Sequence, residues 1–252
     1  MSKFCTVIVP YYNQPEMLKR HLALWMEYGE HIRDRLDLIV VDDGSMEHEA
    51  LHVIANVTHS PLRLYRITQD IPWNRGGARN LGAQIAETPW LLHMDIDHLM
   101  PVEAAQALVS RARDWNPKKW YRFRRFRVGA ADDTRMKDQL PRTAKFGEIK
   151  PHIDSYLCTK ALYWKAGGYN EDFSGCLGGG SPFLRELEKV GPVTEAPPDI
   201  FLQVLTKDAC PDASASKLSR DRTEYKKRSD ALKRAGKIKG HDPIRFAWER
   251  LL

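Results

Sequence analysis

Short apolar runs along the chain alternate with longer stretches whose apolar residues recur every three or four positions. Phe4–Pro10 (FCTVIVP) and Leu36–Val41 (LDLIVV) are β-branched runs that end in polar, turn-favouring residues, as parallel strands do on leaving a sheet. Between them, Pro15–Tyr28 carries Met17, Leu18, Leu22, Leu24 and Trp25 on one helical face. Leu62–Ile67 predicts a third strand and Gly76–Glu87 a helix, with Ala78, Leu81, Ile85 and Ala86 on its apolar side. Trp90–Met94 predicts a fourth strand. The order β-α-β-α-β-α-β implies an α/β fold with a parallel sheet covered by helices on both faces. Such sheets bind ligands outside the carboxyl ends of their strands.

The second half is less regular. The pattern predicts a helix over Val102–Asp114, a strand over Trp120–Val128 and a short strand over Ser155–Cys158. A helix over Thr159–Ala166 stops at Gly167-Gly168, and another covers Phe183–Val190. No internal repeat is present. Beyond Pro197-Pro198 the chain turns polar and then basic.

Composition narrows the class. With 42% apolar and 29% charged residues among 252, the chain is long enough for one core of ordinary α/β size. No apolar run reaches the length of a membrane span. The first residues, MSKFCTVIVPYYN, enter a strand directly without the apolar core of a signal peptide. Cys5, Cys158, Cys176 and Cys210 are scattered without a C-x-x-C pair, so they are expected as reduced thiols of a cytoplasmic protein. The net charge of +6 sits entirely after residue 210, where twelve Lys and Arg face six Asp and Glu. These observations predict a domain over 1–210 and a basic, helical extension over 211–252, suited to an anionic partner.

The candidate chemistry gathers at strand ends. Pro10-Tyr11-Tyr12-Asn13 closes the first strand, Asp42-Asp43-Gly44-Ser45 the second and Asp95-Ile96-Asp97 the fourth. An aromatic ring stacks on a nucleobase, and a carboxylate accepts from a base N–H or a sugar hydroxyl. Burying unpaired carboxylates costs several kcal/mol, so Asp95 and Asp97 need compensation. A hard divalent cation that also binds phosphate oxygens supplies it. His98 beside them reads as a hydrogen-bonding residue, and His93 as a core histidine.

VIVPYYNQ, IVVDDGS, NRGGARNLG, MDIDHLMP and GGYNEDFSG together resemble, in order and spacing, the GT-A glycosyltransferases, especially family 2 and the related galactosyltransferases. The resemblance spans Phe4 to Leu187. It implies a GT-A fold, a Rossmann-like nucleotide-binding mixed sheet flanked by helices, and a UDP-sugar donor bound with Mn²⁺ or Mg²⁺. By position it implies Tyr12 stacking on the uracil, Asp42 or Asp43 at base or ribose, and Pro10, Arg75 and Arg79 at the donor, with Asn80 bracing the arginines' loop. It also implies Asp95 at the sugar or ribose and Asp97, with Asp95, at the metal. A further metal ligand in relatives is a downstream histidine, for which His152 and His241 are the candidates.

One departure stands out. Inverting relatives follow the GGYNEDFSG segment with an acidic pair that supplies the catalytic base, and here those positions are Gly179 and Gly180. Substitutes within reach in sequence are Asp172 first, then Glu171, with Asp154 and Asp199 further off. Three accounts of Gly178-Gly179-Gly180 are open: a base elsewhere, a configuration-retaining transfer assisted by the leaving diphosphate, or close approach of an acceptor or phosphate to Gly179 and Gly180. KKWYRFRRFR, Lys118–Arg127, adds six basic and four aromatic residues in ten. It reads either as a sheet strand with a solvated basic face or as a polyanion contact through Arg122 and Arg124. The acceptor is therefore expected among nucleic acids carrying a modified base, or among glycan and lipid-linked acceptors. Two other classes compete with the transferase: a non-catalytic nucleotide-sugar-binding module that lost its base, and a sugar nucleotidyltransferase. The latter lacks the expected glycine-rich N-terminal phosphate loop.

Overall fold

The computed structural model describes residues 2–55, 62–128, 147–207, 209–213 and 219–252. Its centre is an eight-stranded mixed sheet in the order β10-β6-β9-β4-β1-β2-β3-β12. The strands are β1 (Cys5–Tyr11), β2 (Leu36–Asp42), β3 (Arg63–Ile67), β4 (Trp90–His93), β6 (Trp120–Arg122), β9 (Tyr156–Thr159), β10 (Val193–Glu195) and β12 (Trp248–Arg250). A smaller sheet, β5-β11-β7-β8, contains β5 (His98–Leu99), β7 (Arg124–Val128), β8 (Glu148–Ile149) and β11 (Phe201–Leu205).

Every residue of β1 and β2 is buried, as continuous apolar runs require when both faces are covered. Alternation divides them. Val7, Val9, Leu38 and Val40 pack with α1 (Pro15–Glu27), α3 (Ala50–Ala55) and α5 (Val102–Ser110). Ile8, Ile39 and Val41 pack on the other face with α4 (Arg75–Ile85), α6 (Lys160–Lys165) and α7 (Gly180–Val190). A short helix α2 (Glu30–Arg33) leads into β2. The predicted parallel centre is present: β1 pairs in parallel with β2 and β4, and β2 with β3. Antiparallel β9 makes the sheet mixed.

The strand expected over Trp120–Val128 is divided between the two sheets. Phe123 and Phe126 are both buried, and an unbroken strand would send them to opposite faces. The break at Phe123 lets β6 stay in the large sheet while β7 joins β11 in the small one.

The basic C-terminal segment contains a helix, α8 (Thr223–Arg234). Asp212 accepts from the backbone N–H groups of Glu16 (2.7 Å) and Met17 (3.0 Å), satisfying amides at the start of α1. The final residues pair β12 antiparallel to β3, an edge strand that periodicity in so short a polar segment does not announce. All four cysteines are buried free thiols. No described helix is long and apolar enough to cross a membrane.

Candidate active site

The carboxyl ends of β1, β2 and β4 open on a cleft of about 340 Å³. Pro10, Tyr12, Asp43, Trp73, Arg75, Asp95, Asp97 and His152 are on its walls. The acidic turn between β4 and β5 is where the chain leaves the large sheet for the small one. Its backbone is pinned from several directions. Ser155 Oγ accepts from Asp95 N (3.1 Å), Asp97 O accepts from Leu205 N (3.0 Å), and Ile96 O takes a hydrogen bond from His21 Nε2 (2.8 Å).

Asp95 is the hub. Arg79, wholly buried behind it, donates to Asp95 Oδ1, and Arg75 lies 4.0 Å from Oδ2. His152 Nδ1 lies 3.1 Å from the same oxygen. Burial alone would raise the Asp95 carboxyl pKa, but Arg79, His152 and Arg75 together hold it below the usual range. Burial lowers the pKa of His152 from its ordinary value, against the opposing pull of Asp95 and Asp154 beside it. Arg75 also meets Asp154, a completely buried carboxylate, at 3.1 Å, and Asp154 accepts from Tyr169 OH (2.9 Å). The buried carboxylates thus have cationic partners on the protein side, while Asp95 keeps a face toward the cleft.

Asp97 Oδ1 lies 2.9 Å from His98 Nδ1, and Arg125 approaches His98 Nε2 at 2.7 Å. A guanidinium only donates, so this contact makes Nε2 the acceptor and places the ring proton on Nδ1. His98 and His152 are neighbours, with ring centroids 5.0 Å apart. Donor atoms of Asp95, His98 and His152 all lie within 4.8 Å of one another. Sequence reasoning left His98 outside the site; its adjacency to the acidic turn was the available signal.

The remaining candidates separate by what holds them. Asp43 faces the cleft, with Asn74 Nδ2 donating to it at 3.0 Å. Asp42 is turned inward and accepts from Ser45 N and Ala50 N, each at 2.8 Å, the latter opening α3. Tyr12 lines the cleft and donates to Asp70 (3.0 Å). Arg79 is enclosed behind Asp95 rather than on a wall. Asn80 lies on α4 and braces no loop at Arg75 and Arg79; it ties the helix to the segment after α6, donating to Tyr169 O and Glu171 while accepting from Tyr163 OH and Tyr169 N.

The expected base candidates are not brought to the cleft. Glu171 is buried and accepts from Ile244 N (2.8 Å), Arg245 N (3.0 Å) and Asn80 (2.7 Å), so it secures the C-terminal segment. Asp172 pairs with Arg245 (2.8 Å) and His241 (3.5 Å), which puts the alternative histidine ligand beside Asp172 instead of the acidic turn. Asp199 pairs with Arg111 at the surface.

The glycines at 178–180 are pressed against protein atoms. Gly178 has φ +143°, and a side chain there would meet the Tyr225 ring at 2.6 Å. A Cβ on Gly180 would lie 2.5 Å from Asp154 Oδ1. Arg122 stacks over Trp120, and Arg124 holds Glu148 through two hydrogen bonds of 2.8 and 2.9 Å. Much of the basic-aromatic stretch is therefore used inside the fold.

The profile of glycosyl transferase family 2 matches residues 6–175, about two thirds of the sequence, and the chain belongs to that family. Among solved structures, TarS 1–349 from S. aureus in complex with UDP-GlcNAc shares 13% identity at a TM-score of 0.66. That match covers 92% of this chain and 65% of TarS 1–349. The mannosyltransferase PcManGT from Pyrobaculum calidifontis, in complex with GDP-Man and Mn²⁺, shares 21% identity at a TM-score of 0.56. It covers 81% of this chain and 57% of the mannosyltransferase. The chain thus spans less than two thirds of either neighbour's length, and the likeness establishes the GT-A fold. No curated protein matches the sequence.

Proposed function

We propose that this protein transfers a sugar from a nucleotide-sugar donor, with a divalent cation, to a hydroxyl acceptor. The observation that carries the reading is the convergence of Tyr12, Asp43, Arg75, Asp95, Asp97 and His152 on one cleft at the strand ends of a family 2 chain. Tyr12 offers a ring to the base, Asp43 an acceptor for base or ribose, and Arg75 a cation for the diphosphate. Asp95, His98 and His152 bring donor atoms within 4.8 Å of one another and fit a cation, with the Asp97 carboxylate 2.9 Å from His98 as a further oxygen donor. A mixed oxygen and nitrogen donor set favours Mn²⁺ over Mg²⁺, which prefers an all-oxygen shell. When bound, the ion stabilises charge on the departing diphosphate. The residues' own work is to bind and orient the donor beside the attacking hydroxyl. UDP is the first nucleotide to test and GDP the second, since the neighbours bind one of each.

The acceptor is a hydroxyl on an anionic molecule, a reading supported by the basic C-terminal segment; DNA and anionic glycans are the two arms to compare. The binding-module reading draws on a specific observation, the packing of Gly179 and Gly180 against Phe173 and Asp154 where an acidic pair was expected.

The test is a hydrolysis and transfer screen with several nucleotide sugars, Mn²⁺ or Mg²⁺, both acceptor types and an Asp97→Ala control. Nucleotide release that requires metal and Asp97 and increases with one acceptor supports the transferase. Metal-dependent nucleotide binding with no release from any donor sinks it in favour of a binding module.

A further inference from the structure

The family match ends at residue 175, yet the cleft does not. Arg220 lies on its wall, contributed by the segment that precedes α8. That segment is anchored to the site, because Trp73 Nε1 donates to Ser219 O at 2.8 Å. Trp73 is itself an unusual residue. It holds φ +56°, a left-handed conformation that a bulky side chain adopts at a cost. Its ring lies 5.8 Å from the Arg75 guanidinium carbon, and Arg75 is fixed on its other side by buried Asp154. A continuous set of contacts therefore runs from Asp154 through Arg75 and Trp73 to the backbone beside Arg220.

We infer that Arg220 and Arg75 form a two-arginine clamp for a substrate phosphate, with Trp73 as the positioning residue that brings the C-terminal segment to the cleft. This rests on the nucleotide-sugar reading of the same site. The charge pattern supports a clamp for an anion. Asp43, Asp95 and Asp97 give the cleft three carboxylates. Arg75 is already paired with Asp154 and directed toward Asp95, and Arg220 adds a second guanidinium to the cleft lining. Arg220 is exposed and so reachable by a ligand. A guanidinium presents paired N–H donors that match phosphate oxygens. The phosphate has two possible sources, the donor's diphosphate or a phosphate on the acceptor.

The experiment titrates the full chain with UDP, GDP, CDP and dTDP in Mn²⁺, and with the matching nucleosides, by calorimetry. The proteins are wild type, Arg220→Ala, Arg220→Lys, Trp73→Phe and the control Lys226→Ala. A donor-side clamp predicts that Arg220→Ala weakens the preferred diphosphate roughly 10- to 100-fold while leaving its nucleoside unchanged. Arg220→Lys recovers part of the loss, and Trp73→Phe, which deletes the bond to Ser219, shows a smaller loss of the same kind. If diphosphate binding is unchanged, inorganic phosphate is titrated against protein saturated with nucleotide and Mn²⁺. A loss confined to that second titration assigns the clamp to the acceptor side. Equal affinities in both titrations for wild type and Arg220→Ala overturn the clamp and leave the nucleotide-sugar reading standing. Wild type that binds none of the diphosphates overturns both.

Discussion

Two acidic pairs in this chain look alike in sequence and are put to different uses. Asp95 and Asp97 sit on a turn between two sheets, with arginines and histidines around them and one side open to the cleft. Glu171 and Asp172 sit on a single 3-10 turn, Glu171–Phe173, and spend their oxygens on the C-terminal segment. The difference lies in what satisfies each carboxylate. Where backbone N–H groups complete its hydrogen bonding, as at Glu171, a carboxylate is structural, while Asp172 is spent on the Arg245 and His241 side chains away from the cleft. Where side-chain cations supply only part of the compensation and a face stays open, it is equipped to bind.

The largest effect that would test this contrast is expected at Asp95→Asn. Sugar transfer should fall by roughly 1000-fold, the scale of losing a principal electrostatic group from an active site. Unfolding by urea should show a stability loss of about 3 kcal/mol, because Arg79 is left buried without its anionic partner. A variant retaining a tenth of wild-type turnover would dissolve the distinction. Glu171→Ala should do the reverse. Losing two backbone donors and Asn80 from a buried carboxylate is expected to cost about 3 kcal/mol, with turnover per folded molecule within about threefold of wild type. Abolished turnover in a stable protein would make Glu171 the base.

Acidification offers a test of the same size through the anchor of the acidic turn. Burial lowers the pKa of His21, which bonds Ile96 O, to about 4. The unfolded chain therefore binds a proton that the folded one refuses, below a pH of about 6.5. The stabilisation is present above that value and is lost as pH falls toward 4, by up to about 3 kcal/mol. Buried His93 shifts in the same direction. Thermal melts between pH 7.5 and 4.5 should show this decline, and His21→Asn should flatten it; an unchanged slope would remove His21 from the account.

Gly180→Ala sets a Cβ against Asp154 and should cost about 2 kcal/mol by overpacking, with a drop in diphosphate affinity as Asp154 and Arg75 shift. Neutral stability and affinity would mean that Asp154 yields easily. The smallest effect is expected at Asp172→Asn, whose partners Arg245 and His241 are partly exposed. Less than about 1 kcal/mol should be lost, and turnover should stay within about twofold. A hundredfold loss of turnover would restore Asp172 as the base.

The centre of the fold was legible because β1, β2, β4 and α1 are built from local pattern. Continuous apolar runs make strands buried on both faces, and a spaced apolar face makes a helix. The acidic turn and Tyr12 were legible for a related reason, since strand ends in a parallel sheet converge without further instruction. The split at Phe123, the edge strand β12 and the short helix α3 were not. Each is decided by partners distant in sequence, and a segment of three to six residues carries too little pattern to show it.

Pattern and spacing along the chain determined that this protein is an α/β nucleotide-binding-type fold with its polar chemistry at one sheet edge. Tertiary structure decided which polar residues reach the cleft. It turned Asp42 inward and kept Asp43, though buried, on the cleft wall, enclosed Arg79 behind Asp95, and brought His152 rather than His241 to the cleft. It also spent Glu171 on backbone and returned Arg220 from beyond the family match. Those outcomes depend on which long-range neighbour satisfies each buried charge, and a charge does not record its partner in the residues beside it.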